Sequence, residues 1–295
     1  MPGSRPLVSA IPARVASAPR PKSLILDVYG RYAAQFDGWL PVSDLVELMG
    51  LLGVDEQAVR SAVSRMARRD LLEREARSGV RGYAVTMSAA AIFAAADRKI
   101  YGEITPSPVS EGWLLVSFSM PEEARDKRHA LRSQLMWLGL GTVSSGLRIG
   151  PRRIHADVVE VVERLGLEEY VDLFTADHLG LGPLVDLANR AWDLSALADA
   201  YRDFVHRFVP LHRAVRRRQG QDPADAFAAY TLTLHEWRKF PYLDPGLAPE
   251  LLPDDWPGTE AWDLFADLRT RLEPAAFEHA TTVAERTRSE RGGAP

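Results

Sequence analysis

The side chains with the most specific chemistry lie in the segment Asp55–Arg69. With about 3.6 residues per turn, a helix over this segment places one apolar set along a single face: Val59, Ala62, Val63 and Met66. The opposite face is polar and basic and contains no acid: Gln57, Arg60, Ser61, Ser64, Arg65 and Arg68. Arginine binds guanine through two hydrogen bonds, glutamine binds adenine in the same way, and serine reaches bases or phosphates. The second face therefore has the composition of a helix that reads the DNA major groove.

A predicted β-hairpin follows this helix and carries two further arginines. The segments Leu71–Arg77 and Val80–Thr86 have strand character and are joined by a Ser-Gly pair at 78–79, which is typical of a tight turn. Arg77 and Arg81 flank the turn, where they can reach a nucleic-acid backbone. A solvated basic helix face is the structural alternative, and the adjacent hairpin is the observation that favours DNA binding over it.

Two helices are predicted upstream of Asp55–Arg69, where they can hold the helix of that segment in position. Apolar residues recur at helical spacing from Lys22 to Phe36, and a second helix follows with Ser43 as its N-cap. Asp55 is the predicted N-cap of the reading helix. The order helix, helix, turn, helix and hairpin predicts a winged helix-turn-helix domain over residues 22–102. A proline-rich arm over residues 1–21 is expected to be disordered.

The middle of the chain predicts a second, smaller domain over residues 103–180. Trp113–Ser119 is an apolar run typical of a buried strand, and Val143–Arg148 is typical of another strand. Ala124–Leu138 and Val158–Leu165 have the periodicity of helices. This alternation of strands and helices predicts a ferredoxin-like α+β domain.

The last third of the chain is predicted to be mainly α-helical. Long helices begin near Asp193 and Pro223, and a proline-rich loop over 241–258 leads to a final helix. We expect a helical C-terminal domain over residues 181–285 and a charged, frayed tail over residues 286–295. The expected fold class is multidomain α+β, with a winged helix, a ferredoxin-like domain and a helical C-terminal domain in that order.

The distribution of charge agrees with a polyanionic partner for the first domain only. Residues 1–102 carry 14 basic and 10 acidic side chains, a net charge of +4. Residues 103–180 and residues 181–295 each carry a net charge of −4. A positive first third in an otherwise acidic chain favours a nucleic-acid partner for that third. Chance variation in composition is the plain alternative.

Several classes of protein are excluded or disfavoured. The 295 residues include no cysteine, which excludes a disulfide framework, a thiol nucleophile and a thiolate metal site. The longest apolar run, Ala89–Ala96, is much shorter than the roughly 20 residues that cross a bilayer, and no secretory signal is visible. A cytoplasmic protein without a membrane partner is expected. The seven histidines lack zinc-site spacing, and no phosphate-binding loop or nucleophile elbow occurs, so neither a metal nor a catalytic residue is expected.

A second candidate site lies in the C-terminal third. Aromatic residues on adjoining helices and a proline-stiffened loop are suited to enclose an aryl ring: Trp192, Tyr201, Trp237, Tyr242 and Trp256. His235 and Arg238 can hydrogen-bond a thioester or phosphate, and Lys239 adds positive charge beside them. The arginines between Arg213 and Arg218 are a further candidate for phosphates. Core packing of the aromatic residues, and a solvated helix end for the arginines, are the open alternatives.

These segments resemble the PaaX family of repressors, which regulate phenylacetic acid catabolism. The resemblance spans nearly the whole chain after the arm. It is carried by the run Val59–Met66 and by the hairpin Gly79–Tyr83. Its most specific part is His235–Leu247, which continues into Glu250–Pro253 and Trp256–Gly258.

The resemblance implies a homodimeric repressor that binds double-stranded operator DNA and is released by an aryl-CoA thioester, typically phenylacetyl-CoA. We expect this effector to contact the C-terminal candidate site: Trp192, Tyr201, His235, Trp237, Arg238, Lys239 and Trp256. The family's middle domain is similar to small CRISPR-associated nucleases, but Trp113–Ser119 ends without the carboxylate that a catalytic metal needs. No nuclease activity, and no cofactor, is therefore expected. The alternative function is a CoA-thioester-binding or hydrolysing enzyme with a vestigial winged helix.

Overall fold

The computed structural model describes residues 6–11, 21–180 and 182–292, with side chains as far as Arg286. Helices predominate, and two small antiparallel sheets accompany them, so the α+β class predicted from the sequence is confirmed. None of the described helices is long and apolar enough to cross a membrane.

The described elements are named here in chain order. The helices are α1 (Pro21–Tyr32), α2 (Val42–Leu51), α3 (Glu56–Ala67), α4 (Met87–Tyr101), α5 (Arg125–Trp137), α6 (His155–Leu165), α7 (Leu184–Ala191), α8 (Leu194–Arg216), α9 (Pro223–Trp237), α10 (Phe240–Leu243) and α11 (Gly258–Gly292). The strands are β1 (Trp39–Pro41), β2 (Leu72–Arg77), β3 (Val80–Val85), β4 (Trp113–Phe118), β5 (Gly141–Ser144), β6 (Leu147–Pro151) and β7 (Val171–Ala176).

The chain divides into two compact units. Unit 1 consists of Met1–Gly102, Asp203–Trp237 and Glu260–Pro295. Unit 2 consists of Glu103–Arg202 and Arg238–Thr259. The range 181–285, expected from the sequence to be one helical domain, therefore contributes residues to both units.

The N-terminal part of unit 1 contains α1 to α3 and a three-stranded antiparallel sheet in the order β1-β3-β2. The hairpin β2–β3 was predicted, whereas β1 was not. β1 has three residues and pairs with β3 from Trp39 opposite Ala84 to Pro41 opposite Gly82. A strand this short has too few residues for an alternating pattern to identify it.

Local sequence accounts for α3. The Asp55 side chain accepts a hydrogen bond from the Ala58 backbone N–H at 2.9 Å, so the predicted N-cap is confirmed. The predicted apolar face is buried throughout: Val59, Ala62, Val63 and Met66. The N-cap predicted at Ser43 is wrong, because α2 already begins at Val42 and the Ser43 hydroxyl donates to Asp44 instead.

Helix α9 lies in the centre of unit 1, where most of its residues are buried. Tyr32 of α1 packs against it through its ring, 5.1 Å from the Phe227 ring, and through its hydroxyl, 3.2 Å from the hydroxyl of Thr231. Burial on nearly all sides explains the weak helical periodicity of this segment, since a helix covered all round needs no polar face. The N-terminal module and the C-terminal helices thus share one core.

Part of the predicted N-terminal arm also packs in unit 1. Leu7–Ala10 form a short 3₁₀ turn in which Leu7 is buried, and Ile11 is buried beside it. The Leu7 backbone N–H donates to the Asp225 carboxylate of α9 at 3.0 Å. Over residues 6–11 the expectation of disorder is therefore wrong, because two apolar side chains are buried there; residues 1–5 and 12–20 lie outside the described residues.

Unit 2 is built around the sheet β5-β6-β4-β7, in which every neighbouring pair is antiparallel. Helices α5 and α6 cover one face of this sheet and share a core with it: Leu114, Val116, Leu131, Leu135 and Val158. The single strand predicted over Val143–Arg148 is instead the hairpin β5–β6, because residues 145 and 146 form its turn. β7 was not predicted; its inward-facing apolar residues are only Val171 and Leu173, which are half-buried against the core.

The other face of the sheet is covered by α7 and by the segment Leu247–Leu251, which pack against Trp113 and Ile149. Gly141 of β5 lies directly under the Trp192 indole, so close that a Cβ there would lie 2.7 Å from the ring. At the end of the chain, α11 continues to Gly292, so residues 286–292 of the predicted frayed tail are helical.

Candidate nucleic-acid interface

Helix α3 presents its predicted polar face to solvent. Gln57, Arg60, Ser61, Arg65 and Arg68 are exposed, and Ser64 is half-buried. The same helix buries its apolar face against α1, α2 and β2, which fixes the orientation of the polar face. The structure therefore brings all six predicted residues, five on α3 and Arg68 directly after it, onto one accessible surface.

Two contacts within α3 hold arginines of this face in place. The Arg60 guanidinium forms an ion pair with Glu56, one turn earlier, at 2.7 Å. Arg65 donates to the hydroxyl of Ser61, also one turn earlier. Glu56 is an acid that the sequence analysis did not count on this surface, and a phosphate that binds Arg60 has to compete with its carboxylate.

The hairpin arginines differ from each other in their surroundings. Arg77 forms an ion pair with Glu75 at 2.8 Å, and its guanidinium lies 5.2 Å from the centre of the Trp39 ring. Hydrogen bonding to Arg77 lowers the pKa of the Glu75 carboxyl. Arg81 is exposed, and it pairs across the hairpin with Ala76. Arg81 is thus the more available of the two for an anionic partner.

Arg74 also belongs to this surface, although the sequence analysis did not select it. Its guanidinium lies 3.4 Å from the Ser64 hydroxyl of α3. A signal was present in the sequence, because Arg74 stands two residues after the buried Leu72 and a strand repeats its faces every two residues. The face of β2 that packs on α3 therefore carries Arg74 as well.

The predicted effector residues are divided between the two units. His235 and Trp237 belong to unit 1, whereas the other five belong to unit 2: Trp192, Tyr201, Arg238, Lys239 and Trp256. In unit 1, His235 Nδ1 lies 2.6 Å from the Asp27 carboxylate of α1. The Trp237 ring is fully buried and stacks on Phe265 at 4.6 Å, and its indole N–H donates to the Ile100 carbonyl.

The aromatic residues of unit 2 are also engaged with their neighbours. Tyr201 is fully buried, stacks on Phe240 at 4.3 Å and donates its hydroxyl to Asp244 at 2.9 Å. Burial, together with the charge of Asp244, raises the pKa of the Tyr201 hydroxyl. The Trp256 ring lies edge-on to Tyr201 at 5.7 Å, and the Trp192 indole donates to a backbone carbonyl at 2.8 Å.

The basic residues of the second candidate site are more accessible. Arg238 and Lys239 are half-buried, and the Lys239 ammonium lies 5.2 Å from the centre of the Phe240 ring. In the arginine run at the end of α8, Arg218 forms an ion pair with Asp225 at 3.1 Å. The aromatic residues of the predicted pocket are thus largely packed into cores, while its cations lie near the surface.

The loop after α10 is held by polar contacts within unit 2. The Asp244 carboxylate accepts from the Gly246 backbone N–H at 2.8 Å, and burial raises the pKa of this carboxyl. The Arg153 guanidinium donates to the Ser107 hydroxyl at 2.6 Å and to the Pro245 carbonyl at 3.4 Å. Arg153 and Ser107 were not selected from the sequence. Among the described residues, no cluster of three or more metal-ligating side chains occurs.

Fold and surface together define a two-unit α+β protein with an exposed basic helix in its N-terminal module. Three family models match consecutive parts of the chain: PaaX-like protein over residues 20–88, PaaX protein central Cas2-like domain over residues 106–188, and PaaX-like protein C-terminal domain over residues 192–282. The chain belongs to the PaaX family.

Two known proteins are similar over most of their length. The chain is 28% identical over 270 residues to the transcriptional repressor PaaX of Escherichia coli strain K12, covering 89% of this chain and 84% of that one. An uncharacterised protein of Mycobacterium tuberculosis, Rv0674, has a similar structure with a TM-score of 0.51 and 22% identity, covering 89% of this chain and 96% of that one. This second likeness concerns the fold.

Proposed function

We propose that this protein is a transcriptional repressor that binds double-stranded DNA through α3 and the hairpin β2–β3. The name of the Escherichia coli relative supports the repressor role. The order α1, β1, α2, α3, β2, β3 with the sheet β1-β3-β2 supports a winged helix, in which α3 is the recognition helix and the hairpin is the wing. The order β-α-β-β-α-β in unit 2 supports a ferredoxin-like domain.

The observation that carries the proposal is the polar face of α3. From Gln57 to Arg68 this face is about 16 Å long at 1.5 Å per residue, and an α-helix fits the major groove, which is about 12 Å wide. Arg60, Arg65 and Arg68 all lie within the arc of this face, and all three are exposed. Arg74 and Arg81 on the hairpin extend the positive surface beside the helix.

Under this proposal, the repressor binds two half-sites as a homodimer, since one module makes a small interface and a repressor needs the affinity of two. An acyl-CoA thioester such as phenylacetyl-CoA releases it from DNA. We assign the polar contacts at the thioester end of that effector to Arg238 and Lys239, which are half-buried. Tyr201 and Trp237 act through packing, because both are fully buried.

The experiment is a titration of wild-type protein and of the variants Arg60→Ala and Arg65→Ala against duplex DNA from upstream of the protein's own gene. A scrambled duplex measures non-specific binding. If an arginine makes a bidentate contact with guanine, its loss should cost about 1–3 kcal/mol on the specific duplex only. If it contacts phosphate, both duplexes should bind more weakly, and the slope of log K against log salt should shrink by about one.

The matched control is Arg164→Ala in α6. The side chain of Arg164 is 55% exposed and faces Glu160 one turn earlier, much as Arg60 is 56% exposed and pairs with Glu56. Unchanged affinity and salt slope for both α3 variants, or an equal loss in the Arg164 control, contradict the proposal. Phenylacetyl-CoA added to the complex should release the DNA. Hydrolysis of the thioester with turnover would instead favour an enzyme.

A further inference from the structure

Two arginines of unit 2 donate to adjacent carbonyls of the β5–β6 hairpin, and neither forms an ion pair with a carboxylate among the described residues. Arg132 lies on α5 and Arg148 lies on β6. Arg148 stands opposite the buried Val116 of β4, so it belongs to the face of the sheet that packs against α5 and α6. Arg148 is only 9% exposed, and Arg132 is half-buried beside the β5–β6 turn. We refer to these two residues as the arginine pair.

The hydrogen bonds of the arginine pair go to backbone carbonyls. Arg148 Nη1 donates to the Ser144 carbonyl at 3.2 Å, and Arg132 Nη2 donates to the Ser145 carbonyl. Arg132 Nε is buried and has no hydrogen-bond partner among the described residues. The Arg132 guanidinium also lies 5.9 Å from the centre of the Phe118 ring. A neutral carbonyl or ring satisfies a donor but does not balance its charge.

Two other half-buried arginines of this protein, Arg128 and Arg207, are neutralised by carboxylates. Arg128, one turn before Arg132 on α5, forms an ion pair with Glu122 at 2.7 Å. Arg207 forms ion pairs with Asp203 and Glu236. Neither member of the arginine pair forms an ion pair with a carboxylate of the described residues. Burial, and then the charge of Arg132, lowers the pKa of the Arg148 guanidinium, as expected where two cations lie together without an anion.

A buried and a half-buried cation without a counter-charge are costly for the fold, because each loses hydration and gains no opposite charge. A bound anion removes that cost. Guanidinium groups present paired N–H donors that match the oxygens of a phosphate group. The exposed residues Ser144, at the end of β5, and Ser145, in the turn, carry hydroxyls that are further donors. Access to the pair is therefore expected from the side of the turn.

We propose that the arginine pair and the β5–β6 turn form a binding site for a phosphate group. The identity of the ligand rests on the function proposed above: it is the acyl-CoA effector, and its phosphates bind at this site. This assigns recognition of the charged end of the effector to unit 2, at residues that lie outside the aromatic candidate site.

The first test uses inorganic phosphate and the thermal unfolding of the full-length protein. Phosphate should raise the unfolding midpoint of the wild type more than sodium chloride of equal ionic strength does, since a ligand of the folded state stabilises it. The rise should vanish in Arg132→Gln and in Arg148→Met and persist in the control Arg164→Gln, an exposed arginine of the same unit. No rise in the wild type, or an undiminished rise in Arg132→Gln, overturns the site. If Arg148→Met does not fold, Arg132→Gln decides alone, because its side chain is half-buried at the rim.

The second test identifies the source of the phosphate by calorimetry with CoA and with pantetheine, which lacks the phosphates. Arg132→Gln should weaken CoA binding about tenfold or more, the effect of one lost charge-assisted hydrogen bond, and should leave pantetheine unaffected. Unchanged CoA affinity in a variant that has lost the phosphate response overturns the assignment to the effector. Neither of these two experiments uses DNA. Failure of the repressor proposal would therefore appear only in the DNA titration, and the two proposals can fail separately.

Discussion

Replacing Glu273 with glutamine tests how the N-terminal module is held to the C-terminal helices of unit 1. The Glu273 carboxylate of α11 accepts hydrogen bonds from three side chains on three helices. These are the Tyr230 hydroxyl of α9 at 2.6 Å, the Arg31 Nε of α1 at 3.1 Å, and the Arg269 Nε of α11 at 3.3 Å. The Arg31 guanidinium further lies 4.9 Å from the centre of the Tyr101 ring of α4.

The size of the expected loss in unfolding free energy follows from the burial of the ion pair. The Arg31 and Glu273 side chains are 18% and 20% exposed. Removing one partner of a fully buried ion pair costs about 3–5 kcal/mol, because the other charge stays behind unpaired. The residual exposure and the carbonyl of glutamine, which can still accept, reduce this to about 2–4 kcal/mol. That is a large part of the roughly 5–15 kcal/mol by which a domain is stable.

The same contacts predict how the effect changes with pH. Burial raises the pKa of the Glu273 carboxyl, but hydrogen bonds from Tyr230 and Arg31 and the charges of Arg31 and Arg269 outweigh it and bring the pKa below its ordinary value of 4.5. A lowered carboxyl pKa in the folded state means stability that is present above about pH 4.5 and is lost as the pH falls through the folded-state value. The difference between wild type and Glu273→Gln should therefore be largest near neutral pH and shrink in acid.

The assay is urea unfolding followed by tryptophan fluorescence, repeated from pH 7 downwards. The control is Glu160→Gln, an exposed acid 3.9 Å from Arg164, for which we expect a change below about 0.5 kcal/mol. If Glu273→Gln loses no more than this control, or if its loss stays constant into acid, then the Glu273 contacts do not stabilise unit 1 and the reasoning is refuted.

Two further predictions concern single positions. Gly82→Ala should destabilise unit 1 by about 1–3 kcal/mol, because a Cβ would lie 2.4 Å from the Leu40 carbonyl oxygen; Gly50→Ala, with open space around it, should instead gain up to about 1 kcal/mol. Equal effects of the two in urea unfolding would contradict the packing argument. Tyr201→Phe should lower the free energy of unfolding by about 1–3 kcal/mol, since it leaves the buried Asp244 carboxylate without its hydroxyl donor. A thermal unfolding midpoint equal to that of wild type would show that this hydrogen bond contributes nothing.

Local sequence patterns predicted the part of the candidate interface that depends on near neighbours. The periodicity of Asp55–Arg69 identified both faces of α3, and the structure buries one and exposes the other. The Ser78-Gly79 turn is also as predicted, with positive φ angles of 50° and 78° that suit a tight hairpin. Such features depend on residues within one turn of a helix or one hairpin, so they are visible in the order of residues.

The contacts that modify this interface were less accessible to prediction. Periodicity placed Arg60 and Arg77 on the right surfaces but did not reveal that Glu56 and Glu75 pair with them, because side-chain rotamers decide which neighbours meet. Arg74 was overlooked although the two-residue repeat of β2 placed it next to α3. The positive charge available to an anionic ligand is therefore smaller at Arg60 and Arg77, and larger at Arg74, than the sequence pattern alone indicated.

The family, the α+β class, the exposed face of α3 and the hairpin beside it can be read from the order of residues. The pairing of distant segments cannot: His235 and Asp27 form a hydrogen bond across 208 positions, and Arg132 and Arg148 donate to the adjacent carbonyls of Ser145 and Ser144 from a helix and a strand. The division of the last third of the chain between both units is likewise a property of the tertiary structure. The physical reason is that periodicity shows which side of a helix or strand is buried but not which other element covers it. That choice depends on the complementarity of two whole surfaces and on the entropy lost when the chain between them is closed into a loop.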